Sequence, residues 1–417
     1  MNKAHYQLIV IGGGPAGLAG AIQAAKEGLT KILILERDEH LGGILRQCIH
    51  NGFGLHIFKE ELSGPEYAAK WVEQLQDLPI DIMLNTTVIQ ISADKAMIVV
   101  NQEGIHQLTS DNILLAMGCR ERTRGAIMTP GFRPAGVYTA GLAQKLVNIN
   151  GYLPGKEVVI VGSGDIGLIM ARRMTLEKAH VQLVTEIMPY SSGLARNIAQ
   201  CVNDFDIPLK FNTTITKIHG KDRVTGVTIA NVDKDLKPLK DTEIFVSCDT
   251  VLFSVGLIPE NELSTQIGID LDPITGGPIV SEELETSLPG FYACGNVLHV
   301  HDLVDNVSQE AMKAAKAIAY KSVKREKAID VEHDQKIRYV IPQRVNSLDH
   351  DELTFSLRVT DVYRNVQIKI FSDNNTIYQQ RKPILTPGEM VKLTIKKDVI
   401  DKIKNDLYLK LEVKEDA

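Results

Sequence analysis

The chain has 417 residues, long enough to bury sizeable cores in two or three domains. It is 44% hydrophobic and 24% charged with a formal net charge of -6, an ordinary globular balance that offers no basis for a nucleic-acid partner or an anionic membrane surface. Its five cysteines (Cys48, Cys119, Cys201, Cys248, Cys294) stand far apart without a CxxC, which excludes a zinc-ribbon or disulfide-scaffold pattern and points to a reducing cytoplasm.

No leader pattern precedes Tyr6, and no apolar run approaches the roughly 20 residues of a membrane span, so no integral membrane segment is expected. "YQLIVI" reads as a short buried strand that runs straight into Gly12, Gly14 and Gly17. An alanine-rich helical stretch follows to Gly28, and a second apolar run, "KILIL", leads to Glu36. Strand, glycine turn, helix, strand and acid together make a dinucleotide-binding fingerprint. The parts divide the work, with Gly12 allowing the tight turn, Gly14 the approach of backbone to a pyrophosphate and Gly17 close helix packing, while Glu36 accepts from ribose hydroxyls. Pro15, Ala16 and Arg37 flank these positions and complete the candidate set.

Next comes the pair Gly42–Gly43 in "LGGILRQCIHNGFG", with Cys48 and His50 shortly after. "SGPEYAAKWVEQLQDL" starts a helix with a Ser63/Glu66 capping box and Pro65 in the first turn, and "IDIMLNTTVIQI" reads as strand. The glycine loop then recurs: "EVVIVGSGDIG" supplies Gly162, Gly164, Ile166 and Gly167, a helix follows, and "VQLVT" leads to Glu186. In both copies the glutamate follows the first glycine by 24 positions. Two complete copies predict two bound dinucleotides. Glu186 would repel a 2′-phosphate, and no Arg or Lys occurs between it and Arg196, which favours NADH over NADPH.

A last helix is predicted around "NVSQEAMKAAKAIA", with Asp305 or Asn306 as its cap and Gln309 near the capping-box position. "HVHD" at His299–Asp302 has the look of a metal cluster, but it follows a nucleotide-binding segment directly and no metal ligand is assigned. The charged run "KSVKREKAIDVEHDQK" reads as a linker. Beyond it, "LTFSLRV", "VQIKIF", "VKLTI" and "LYLKLEV" alternate apolar and polar residues, with turns at "SDNN" and "LTPGE". They predict a small C-terminal antiparallel β-sandwich.

Over about residues 5–325 the chain resembles the flavoproteins with two dinucleotide-binding domains, the pyridine nucleotide-disulfide oxidoreductases that include glutathione and thioredoxin reductases. Beyond the two loops, "ILLAMGCRER", "VLFSVGLIPENEL", "LPGFYACGNV" and "NVSQEAMKAAKAIA" are similar, in order, to four further family segments. The resemblance implies an α/β fold of two Rossmann-like domains plus the C-terminal sandwich. FAD would bind residues 1–118 and 253–325, NAD(H) residues 119–252, and the sandwich would occupy 330–417. It implies FAD contacts at Gly42, Gly43, Val88, Ala116, Gly118, Gly295, Asn296, Ser308 and Gln309, and a nicotinamide-side contact at Gly256. Asn296 stands where relatives carry an Asp that holds the ribityl chain.

Laid on the Gly42–Gly43 pair, the family's redox cysteines fall on Leu45 and His50, so no internal disulfide relay is expected. Ile169 stands where reductases often carry a Glu. His50, as a proton donor or acceptor near the flavin, and Cys48, as a lone redox thiol, are the catalytic candidates. "GGILRQCIHNGFG" and "FRPAGVYTAGLAQ" are similar to a disulfide-lacking branch that accompanies glycerol-3-phosphate, opine or proline dehydrogenase subunits. The leading expectation is an FAD-dependent, NAD(H)-linked oxidoreductase exchanging electrons with such a dehydrogenase subunit or a small-molecule acceptor. A self-contained NADH oxidase, peroxidase or quinone reductase, and a non-catalytic FAD-binding subunit, stay open at this point.

Overall fold

A computed structural model describes residues 3–320 and 326–413. Residues 1–2, 321–325 and 414–417 lie outside the described residues, and with them part of the expected linker and the ends of the expected FAD-binding and C-terminal segments. The chain forms two compact units: residues 1–46, 51–119 and 259–417 make the first, and residues 47–50 with 120–258 the second.

The first unit is built on a seven-stranded sheet. Ile80–Met83, Ile32–Leu35, Lys3–Ile11 and Gly104–Leu115 pair in that order, all parallel. The apolar runs "LIVI" and "ILIL" are buried throughout, as strands of a parallel sheet covered on both faces must be. Gly104–Leu115 is long enough to take two partners along its other edge. Its first half pairs antiparallel with Ala96–Asn101 and its end pairs parallel with Phe291–Ala293. The helix Pro15–Lys26 packs on the sheet at Gly20, where a Cβ would stand 2.5 Å from Leu114 and 3.6 Å from the Ala311 carbonyl of the helix Val304–Ala319.

The second unit centres on five parallel strands in the order Val137–Thr139, Thr250–Phe253, Glu157–Val161, His180–Thr185, Leu209–Lys210. Residues of Glu157–Val161 alternate between two cores. Val158 and Ile160 pack with Leu168, Ala171 and Met174 of the helix Asp165–Leu176, whereas Val159 and Val161 pack with Ile215, Val227 and Ile229 of a three-stranded antiparallel layer.

A C-terminal sheet domain has its own core of Leu353, Phe355, Leu357, Ile368, Ile370, Leu393, Ile395, Leu409 and Leu411. Its five- and three-stranded sheets contain all four predicted runs, as Glu352–Val359, Tyr363–Ser372, Val391–Lys396 and Leu407–Val413. Among the described residues all pairings of this domain are antiparallel except one, between Ile329–His333 and Leu407–Val413. Ile329–His333 corrects the linker reading: Ile329 and Val331 are buried on one face, a period-two signal submerged in charge. The edge strand Asn375–Leu385 was also not anticipated; it carries Pro383 and exposes most of its side chains.

This domain is tied to the rest of the first unit by polar contacts. The Glu282 carboxylate accepts from the Asn346 and Ser347 amides at 2.6 and 2.8 Å. Asp302 pairs with the Arg358 guanidinium and accepts from the Met390 amide at 2.7 Å, while Arg358 also donates to the Val300 carbonyl at 3.1 Å.

Candidate functional site

At the end of Lys3–Ile11 the chain turns through Gly12 at φ +108°, where a Cβ would lie 2.4 Å from the Ala116 carbonyl oxygen. Gly17 is held equally close, its virtual Cβ 1.8 Å from the Gly12 oxygen. Gly14 differs. It is the N-cap of Pro15–Lys26 at φ -76°, and no protein atom lies within 4 Å of where its Cβ would be. Open space at a helix N-terminus, beside unpaired amides, fits a phosphate. The Glu36 carboxylate is buried and reaches back to the turn: Oε2 accepts from the Gly13 amide at 2.7 Å and Oε1 from the Asp38 amide at 2.8 Å. Each oxygen keeps a lone pair for a ribose hydroxyl.

The same neighbourhood gathers several predicted residues. The Gly42 amide donates to the Gly13 carbonyl at 2.8 Å, and a Cβ on Gly43 would meet the Gly14 Cα at 3.1 Å. A Cβ on Gly295 would stand 3.0 Å from that of Ala16. Thr86 donates its amide to the Glu36 carbonyl at 2.9 Å, placing Val88 just beyond; Arg37 is exposed, and Gly118 faces open space at φ +73°. Asn296 has both ends of its amide engaged, Nδ2 with Cys119 Sγ at 3.5 Å and Oδ1 with the His301 amide at 3.0 Å.

Two predicted side chains have protein partners. Ser308 is buried with its hydroxyl 2.8 Å from that of Tyr67, and exposed Gln309 accepts from Lys392 at 3.4 Å. The capping expectation for this helix is also corrected. Val304–Ala319 has Leu303 as its N-cap, and Asp305 lies inside the first turn, buried, accepting from the His56 and Ile57 amides at 3.2 and 3.3 Å. The Ser63/Glu66 box, in contrast, forms: the Ser63 amide and hydroxyl donate to Glu66 Oε2 at 2.8 and 2.7 Å.

The second loop repeats the backbone course of the first, although a Cβ on Gly164, unlike one on Gly14, would touch the Ser192 and Ser254 hydroxyls at 3.6 Å. Gly162 has φ +94° with its virtual Cβ 2.1 Å from the Ser254 oxygen, and that of Gly167 lies 2.5 Å from the Gly162 oxygen. Gly164 is the extended N-cap at φ -66°. Glu186 is buried, Oε2 accepting from the Ser163 amide at 2.9 Å and Oε1 from the Met188 amide at 3.0 Å. One addition escaped sequence reading: the Ser163 hydroxyl also donates to Oε2, at 2.6 Å, leaving Oε1 as the oxygen with spare capacity. Ile166 is half-buried, and Gly256 faces open space at φ +103°.

Cys48 and His50 belong to the second unit. Gln47 anchors their segment there, donating to the Gly141 carbonyl at 2.8 Å and to Gln144 Oε1 at 3.0 Å. The Cys48 thiol donates weakly to Gln144 Oε1 at 3.8 Å, and burial pushes its pKa up to about 12. Burial, and then the positive charges of Arg196 and Arg172, hold the His50 imidazole below its ordinary value and so neutral.

The fold joins to the two histidines of "HVHD" a third residue that the sequence did not single out, Glu310. His299 Nε2 lies 3.0 Å from Glu310 Oε1, and His301 Nε2 lies 3.0 Å from Glu310 Oε2. The Gly295 amide donates to Glu310 Oε2 at 2.6 Å. Asp302, the acid of "HVHD", turns instead to Arg358.

The chain matches the pyridine nucleotide-disulphide oxidoreductase family over residues 6–319 and belongs to it. The family consists of FAD-dependent oxidoreductases of pyridine nucleotides, whose members bind FAD and NAD(P)H. Among curated relatives, hydrogen cyanide synthase subunit HcnB of Pseudomonas protegens is 25% identical over 284 residues, covering 63% of this chain and 59% of the relative. An opine oxidase subunit of Agrobacterium tumefaciens is 23% identical over 322 residues, covering 70% of this chain and 61% of the relative. The match thus spans about three-fifths of the length of both. Among solved structures, thioredoxin reductase of T. acidophilum superposes with a TM-score of 0.62 at 23% identity, over 76% of this chain and 98% of that one, which establishes the shared fold. Among the described residues no helix is long and apolar enough to cross a membrane.

Proposed function

We propose that the chain is a cytoplasmic FAD-dependent, NADH-linked oxidoreductase that exchanges electrons with a partner dehydrogenase subunit or a small acceptor and uses no redox disulfide. The observation that carries this reading is the repetition, in both glycine loops, of an extended N-cap glycine opening a helix and a buried glutamate bonded back to the turn. Residues 1–118 and 253–325 would serve FAD and 119–252 NAD(H), with 330–417 as the added domain. The division of the chain near residues 119 and 258 supports this assignment.

When bound, FAD supplies the redox centre, exchanging a hydride with the nicotinamide. The chain's own residues do the remaining work. The amides opening Pro15–Lys26 and Asp165–Leu176 receive the two pyrophosphates, and Glu36 and Glu186 orient the riboses. Glu186, buried beside the second loop, disfavours a 2′-phosphate. Asn296 can offer Oδ1 to a ribityl hydroxyl in place of the usual carboxylate. His50, neutral, can accept a proton. Cys48, protonated, is a poor nucleophile, which argues against a cysteine-assisted peroxidase.

The names of the HcnB and opine oxidase relatives describe subunits, which supports a partner subunit here. The test is anaerobic addition of NADH to purified yellow protein, followed at the flavin band near roughly 450 nm. Bleaching by NADH well ahead of NADPH is expected. A bound flavin that neither coenzyme reduces would overturn the enzyme reading in favour of a non-catalytic module.

A further inference from the structure

Two imidazoles and one carboxylate meet in the first unit with no role in the reading above. The facing donor atoms of His299, His301 and Glu310 all lie within 4.8 Å of one another, and each Nε2 stands 3.0 Å from its own carboxylate oxygen. We propose that these three residues bind one divalent cation of the zinc class.

The spacing suits such an ion. With bonds of about 2.0–2.1 Å in tetrahedral geometry, neighbouring ligand atoms stand about 3.3 Å apart, so each imidazole–carboxylate pair needs only slight widening. Two imidazole nitrogens and a carboxylate are a donor set for borderline first-row cations and not for magnesium or calcium, which take oxygen. The proton inventory also permits it. Where an Nε2 proton faces the carboxylate, an ion at that position would send that proton to Nδ1. The exchange moves each proton to an Nδ1 that has no hydrogen-bond partner among the described residues, a cost that the two bonds to the ion offset.

The surroundings are those of a closed site. The His299 and His301 side chains are each 1% exposed and Glu310 is 11% exposed, so three ligands come from enclosed side chains and the fourth tetrahedral position would fall to a single water. The Gly295 amide holds Glu310 Oε2 from behind, as an outer-shell donor does. The nearby Arg358 charge is matched by Asp302, and Lys392 is turned to Asn306 Oδ1 at 2.8 Å. An ion here would tie residues 299–301 to the helix Val304–Ala319, bracing the turn that carries Gly295 and Asn296.

The full chain, purified without chelator, is assayed for metal by mass spectrometry and, after dialysis against chelator, titrated with Co2+ as the probe. About one equivalent of zinc, or a saturable d–d spectrum at one equivalent of Co2+, is expected. Glu310→Gln should lose the spectrum, and His301→Cys should add an intense thiolate-to-cobalt band that the wild type lacks. Flavin content and circular dichroism of the same preparations separate a lost ion from a lost fold. A wild type that takes up no Zn2+ and no Co2+, or a His301→Cys protein that binds cobalt without the thiolate band, would overturn the proposal whether or not NADH reduces the flavin.

Discussion

Gly14→Ala asks whether the first loop is shaped by the fold or by a ligand. In the protein alone the substitution is nearly free. Gly14 has φ -76° and ψ -172°, which any residue adopts, and the added Cβ would meet no protein atom within 4 Å. Narrowing the unfolded chain stabilises by about 0.4–1 kcal/mol. Alanine is a poorer N-cap than glycine by a similar amount, so the two effects offset to within about 1 kcal/mol. With a phosphate in that space the balance changes, because an extra methyl in a filled site costs about 1–3 kcal/mol, or roughly 5- to 150-fold in affinity. Gly12→Ala is the control, since its Cβ would lie 2.4 Å from the Ala116 oxygen at φ +108°. Thermal unfolding of the flavin-free proteins and titration with FAD read the two effects separately. Gly12→Ala should lose both stability and flavin; Gly14→Ala should keep the first and lose the second. A Gly14→Ala protein that binds FAD as tightly as the wild type would refute a pyrophosphate at this loop.

On the nicotinamide side, Glu186→Gln removes the buried negative charge, and the NADPH/NADH ratio of kcat/KM should rise tenfold or more, about 1.4 kcal/mol; an unchanged ratio would show that Glu186 does not discriminate. With its pKa near 12, only about one Cys48 in ten thousand or fewer is ionised at neutral pH. Mapped alkylation of the native protein should therefore leave Cys48 unlabelled, and Cys48→Ser should still be bleached by NADH; rapid labelling would contradict the buried thiol. His50 is held below its ordinary value of 6.5 in the fold. Above that pH it is neutral in both states; as pH falls below it, the unfolded chain gains a proton that the folded chain resists, so stability falls. Urea midpoints at neutral and acid pH should drop more steeply for the wild type than for His50→Gln, and parallel slopes would remove His50 from the account.

Much of the nucleotide framework was legible because its requirements are local. A turn that passes 2.4 Å from a facing carbonyl admits only glycine, so Gly12 and its counterpart Gly162 announce themselves in the sequence. The Ser63/Glu66 box was readable for the same reason, its partners being three residues apart. What escaped was set by distant pairing. Asp305 looked like a helix cap, but the amides of His56 and Ile57, far away in the chain, reach its carboxylate. Ile329–His333 hid in a charged run because only Ile329 and Val331 face inward, and its parallel partner, Leu407–Val413, lies near the other end of the domain. Glu310 joins His299 and His301 only because the turn after Gly295 folds back against the helix.

Asp302 and Glu310 illustrate how the added domain bears on the nucleotide-binding half. Both acids follow Asn296 in the chain, yet each is committed to a different partner. Asp302 faces outward to Arg358 and the Met390 amide of the C-terminal domain, while Glu310 faces inward to the histidines and the Gly295 amide. The segment from Gly295 to Asp302 is thus held at both ends, by the helix Val304–Ala319 and by the sheet domain. A carboxylate at position 296 would add a further negative charge to a turn already flanked by two acids. An amide there instead accepts from the His301 amide and places no charge beside Glu310. On this reasoning the departure at Asn296 and the presence of the C-terminal domain are linked: the domain recruits Asp302, Glu310 braces the turn, and position 296, proposed above as the ribityl contact, does without a charge of its own.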